Sequence, residues 1–79
     1  MQKGGTQMTN TAELEKIILQ SGLKKSYIAQ AIGLSRQGFK KKCDNKSPFT
    51  ATEISLLCEL LNITKLTDKE RIFFVKNVI

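Results

Sequence analysis

Seven basic residues, Lys24, Lys25, Arg36, Lys40, Lys41, Lys42 and Lys46, fall in one stretch of the chain where only Asp44 opposes them. The stretch holds a charge of +6, the net charge of the entire chain, because six acidic residues cancel the other six basic ones. One sign of charge concentrated in this way creates a local field that attracts a polyanion. A lysine-rich face alone reads as solvated surface; confinement of the imbalance to one stretch sets this one apart. Catalytic chemistry finds no such support. The chain has no histidine, no nucleophile beside a recognisable base and no phosphate-cradling glycine loop, so no enzyme is expected. Its two cysteines, Cys43 and Cys58, match no metal-ligand spacing and read as small buried hydrophobes, so neither a metal nor a cofactor is expected.

The elements that must position these charges can be read from apolar spacing and caps. At 79 residues, 41% of them hydrophobic and 25% charged, the chain has the composition of one small globular domain. No apolar run reaches membrane-spanning length and no secretory signal is visible, so a cytoplasmic protein without a membrane partner is expected. Residues 1–10 lack periodicity and contain adjacent glycines, which predicts a flexible leader ahead of a domain over residues 11–79. Lys3-Gly4-Gly5 can be encoded by a purine-rich ribosome-binding sequence two codons before Met8, which makes Met8 a candidate native start.

A first helix is predicted from a cap at Asn10 or Thr11 to Ser21, with Leu14, Ile17 and Ile18 on one face and Gly22 past its end. A second runs from about Lys25 to Ile32 and a third from a Ser35 cap to about Cys43. Residues 44–49 are rich in turn formers and hold the one proline. Thr50-Ala51-Thr52-Glu53 has the capping-box pattern for a fourth helix carrying Ile54, Leu57, Cys58 and Leu61, and Thr67-Asp68-Lys69-Glu70 repeats it for a fifth carrying Ile72, Phe73 and Val75. Adjacent Phe73 and Phe74 cannot both face the core, so one of them, with Val78 or Ile79, is a candidate partner surface. Leu56, Leu60 and Ile63 also lie off the main stripe of the fourth helix. The resulting fold class is all-α, a single five-helix domain.

Within this layout, residues 25–43 meet the requirements of a helix-turn-helix in order. Ala29 is small where the third helix must cross the second, Gly33 can adopt the positive φ of a tight turn, and Phe39 follows six residues later. Ile28, Ile32 and Leu34 complete the motif core. The segment KKSYIAQAIGLSRQGFKKKC resembles the helix-turn-helix of lambda-repressor-like regulators, the Cro and XRE family, most nearly its short prophage-encoded members. The resemblance spans residues 11–66. It implies a sequence-specific transcriptional regulator that binds double-stranded DNA as a homodimer, with the third helix in the major groove.

By position in that family, Ser35, Arg36 and Gln37 would read bases, with Lys40 and Lys41 one turn further along. Their chemistry suits the role: the planar guanidinium of Arg36 matches guanine O6 and N7, and Gln37 can bond adenine N6 and N7. Lys24, Lys25 and Ser26 at the start of the second helix, with Asn45 and Lys46 in the following loop, are phosphate candidates. Tyr27 could stack on the backbone or simply pack. Lys42 departs from the family pattern by occupying an apolar position, so it faces DNA, solvent or the core edge, with Cys43 taking over the packing. The alternative from another class is a protein-interaction module, an antitoxin-like or inhibitor protein on the same scaffold. Its protein partner would be anchored by Leu56, Leu60 and Phe74.

Overall fold

A computed structural model describes residues 7–75, and among them the fold is all-helical: α1 (Thr11–Ser21), α2 (Lys25–Ala31), α3 (Arg36–Cys43), α4 (Ala51–Leu60) and α5 (Leu66–Phe73). Helix α1 starts where Asn10, not Thr11, accepts from the Glu13 backbone N–H, and it ends at Gly22 with φ 76°. Thr11 instead donates its hydroxyl to the Cys43 carbonyl, linking the start of α1 to the end of α3.

Three helices stop in the same way. After α2, α3 and α4 the chain passes through a left-handed residue, Gly33 (φ 82°), Asn45 (φ 63°) and Asn62 (φ 60°) respectively. In each case the next N–H returns to the last turn: Leu34 to Ala29, Lys46 to Lys41 and Ile63 to Cys58, all at 2.8 Å. This pairing satisfies carbonyls that a helix end would otherwise leave open.

The core collects one face of every helix. Leu14, Ile28, Phe39, Leu57, Ile72 and Phe73 are fully buried, and the predicted Ile18, Ala29, Ile32, Ile54, Cys58 and Leu61 join them. Helix α2 packs on α3 and α4, and α1 on α5. Arg71 reinforces the α1–α5 contact by pairing with Glu13 at 2.6 Å and Asp68 at 3.2 Å. Its hydrogen bond to Glu13 holds that carboxyl below its ordinary range. Phe49, which sequence placed only in a turn-rich segment, is 4% exposed and stands between Phe39 and Phe73. Its ring centroid lies 6.1 Å from the first and 6.0 Å from the second, both edge-on, a favoured aromatic geometry.

Four expectations are corrected. The segment from Gln7 to Asn10 is not a leader: Thr9 is 3% exposed, Met8 forms a parallel bridge with Phe74, and Gln7 bonds the Phe73 carbonyl and the Phe49 N–H. Residues 1–6 lie outside the described region, as do Val78 and Ile79. The second expected capping box does not form, because α5 begins at Leu66 from Lys65 and leaves Thr67 inside the first turn. Ile63 is buried at 8% exposure because the Asn62 turn folds it back on the core. Leu60 also packs against the core and offers no open anchor. Phe74 is 46% exposed while Phe73 is fully buried, so the adjacent pair divides as expected, and Leu56 stays exposed at 38%.

Candidate nucleic-acid interface

Helices α2 and α3 meet through the Gly33 turn, and this joint positions the basic side chains. Ile28, Ala29, Ile32 and Phe39 are buried beneath it, with Leu34 packed against their edge. Ser35 is exposed, and its hydroxyl oxygen accepts from the Gly38 N–H at 3.0 Å. Ser35 therefore sets the first turn of α3, and its hydroxyl keeps its hydrogen and one lone pair for a ligand. Arg36 and Gln37 stand exposed in that first turn, and Lys40 and Lys41 follow on the exposed side of the helix.

The structure redistributes the charge read from sequence. Lys25 pairs with Glu15 of α1 at 2.7 Å. Lys40 pairs with Asp44 at 3.0 Å, and the hydrogen bond and charge of Asp44 raise its ammonium above the ordinary value. Lys42 turns inward to Glu53 at 2.7 Å, with its side chain 15% exposed, so it lies along the core edge and not in open solvent. Cys43 is buried beside it, its thiol pushed up to about 12, first by burial and then by the Glu15 carboxylate. Lys24, Arg36, Lys41 and Lys46 have no ion-pair partner among the described residues.

Glu15, Lys25, Arg36, Gln37 and Lys40 surround a hollow of about 470 Å³ floored by Phe39 and Cys43. Ser26 and Tyr27 lie exposed on α2, outside that hollow.

Asn45 has a different task from the phosphate contact expected of it. Its Oδ1 accepts from the Thr9 N–H at 2.7 Å and its Nδ2 donates to the Thr9 carbonyl at 2.8 Å, so one amide completes both backbone groups of a buried residue. Replacing Asn45 with alanine is expected to lower stability by about 1 to 3 kcal/mol, because both Thr9 groups lose their partner. Glycine, which accepts the 63° φ without strain, should restore only the backbone part. Thermal unfolding followed by circular dichroism checks this, and an alanine variant as stable as the parent would refute the clamp.

Neither family models nor curated proteins nor solved structures give a match to this chain. Among the described residues no helix is long and apolar enough to cross a membrane, and no three His, Cys, Asp or Glu side chains gather as metal ligands.

Proposed function

We propose that this chain is a sequence-specific DNA-binding transcriptional regulator, a phage-type repressor or Cro-like protein that lays α3 in the major groove. The observation that carries the reading is the exposure of Arg36 and Gln37 at the first turn of a helix fixed by the Gly33 joint and the Ser35 cap. This helix lies in the stretch that holds the chain's unbalanced positive charge. Arg36 and Gln37 read base edges, while Lys24, Lys41 and Lys46 hold phosphates. Two copies on a pseudo-palindromic operator would place their α3 helices about 34 Å apart, in successive major grooves on one side of the duplex. Occupancy of the site regulates transcription, with no cofactor and no chemistry.

Fluorescence anisotropy against DNA from around the gene and a shuffled duplex, across a salt series, tests this. Arg36→Ala or Gln37→Ala is expected to cost about 1 to 3 kcal/mol and relax preference at individual base pairs, whereas Lys24→Ala or Lys46→Ala should weaken all sequences alike. Identical behaviour of the two groups in a base-substitution series would remove the role assignment. Equal weak binding to both duplexes that vanishes near physiological salt would remove the reading itself, and turn attention to protein partners.

A further inference from the structure

We propose that Glu15 is a negative determinant of DNA affinity at this interface, occupying Lys25 so that the domain grips the phosphate backbone less tightly. The inference rests on the DNA-binding reading and extends it to a helix outside the motif. Glu15 belongs to α1, yet its carboxylate reaches the hollow shared by Lys25, Arg36, Gln37 and Lys40, where it is the one acidic lining residue. Its 2.7 Å pair with Lys25 leaves the side chains 40% and 56% exposed. A pair so open to water adds little to folding stability, so stability does not account for an acid in this place.

Electrostatics gives it a role. Affinity for arbitrary DNA comes from lysines and arginines that displace counterions from phosphates, each contact adding about 0.9 to the salt slope. A lysine already neutralised by a carboxylate contributes less, and that carboxylate also repels any phosphate within a Debye length of about 10 Å at 0.1 M salt. Hydrogen bonds from Arg36 and Gln37 to base edges do not depend on that neutralisation. Glu15 therefore subtracts from the phosphate part of binding, which operator and other DNA share, and limits how tightly the domain holds any duplex.

The test is anisotropy of the full chain on an unrelated duplex over a sodium chloride series, for the parent, Glu15→Gln, Glu70→Gln, Lys25→Gln and the Glu15→Gln/Lys25→Gln pair. Glu70 is exposed on α5 and lines no part of the hollow, so its variant makes the same change in net charge elsewhere. Glu15→Gln is expected to tighten binding about 3- to 10-fold near 0.1 M salt and steepen the slope by about 0.9. Glu70→Gln should leave the slope as it was, and in the Lys25→Gln background the slope change of Glu15→Gln should vanish, leaving only the smaller gain from lost phosphate repulsion. An unchanged slope in Glu15→Gln, or equal gains from Glu15→Gln and Glu70→Gln, overturns the role of Glu15 while DNA binding stands. A parent chain with no salt-dependent binding to any duplex overturns the DNA reading, and this inference with it.

Discussion

Phe49→Ala is expected to remove about 3 to 5 kcal/mol of folding stability, the usual cost of emptying a buried phenylalanine site. A chain of this length has a total stability of only about 4 to 12 kcal/mol, so much of the protein would unfold at 37 °C. The size of the effect follows from where the ring sits. It packs edge-on against Phe39 from α3 and Phe73 from α5, and it immediately precedes the Thr50 cap of α4. One truncation opens a void facing three helices, and the cost grows with the volume the surroundings fail to refill. Phe49→Leu, which keeps most of the volume, should lose less than half as much. Urea unfolding monitored at 222 nm gives both values, and an alanine variant within about 1 kcal/mol of the parent would show that the ring is not part of the core.

The second large effect concerns Lys42 and Glu53. Glu53 Oε1 accepts from the Lys42 ammonium at 2.7 Å and from the Thr50 N–H at 2.9 Å, while Thr50 Oγ1 accepts from the Glu53 N–H at 3.1 Å. One carboxylate thus caps α4 and anchors the last turn of α3, with the pair's side chains about 15% exposed. Glu53→Gln leaves an unanswered ammonium at the edge of the core and is expected to cost about 2 to 4 kcal/mol. Adding Lys42→Met removes that ammonium at similar volume, and the double variant should recover most of the loss. No recovery in the double variant would assign the whole effect to the cap.

The pair also predicts a pH dependence. Burial pushes the Glu53 carboxyl up, but the bonds from Lys42 and Thr50 outweigh it and hold the carboxyl below its ordinary value near 4.5. A carboxyl with a lower pKa in the folded state than in the unfolded chain stabilises the fold fully above the unfolded value, and that contribution disappears as pH falls through the folded one. Melting curves of the parent should therefore lose stability on the acid side of pH 4.5, a limb that is flatter in Glu53→Gln.

Local signals made the helices legible in the sequence, and tertiary pairing hid most of what lies between them. The two capping-box patterns show the limit of a local signal. At Thr50 the pattern is backed by Phe49 before it and Ile54 four residues after it, both buried, which is the hydrophobic staple. At Thr67 the preceding Leu66 is 70% exposed and the residue four on is Arg71, so nothing pins the chain there and α5 starts earlier. Gly33 was readable as a turn because glycine is the residue best suited to that φ. Asn45 and Asn62 adopt the same conformation with a residue type equally at home in many other places.

The candidate site divides in the same way. Concentration of charge in one stretch and exposure of Arg36, Gln37, Lys40 and Lys41 follow from composition and helical spacing. The partners of Lys25 and Lys42 lie ten or more residues away on other helices, at separations with no helical period to reveal them. The docking of residues 7–10 was invisible for a related reason: its bonds join side-chain amides and backbone groups to other backbone groups, which leaves no apolar pattern to read.

Cys43 closes α3 and Cys58 lies within α4, and both thiols are buried. A thiol is alkylated as its thiolate, and only where a reagent can reach it. Burial raises both thiols, Cys43 to about 12, so the closed molecule is nearly inert and each labelling event marks an excursion out of it. Reaction at Cys43 alone times the fraying of the α3 terminus, while simultaneous reaction at both positions times the opening of the whole domain. The chain thus carries two internal clocks on its own fluctuations, one of them set in the helix proposed to read DNA.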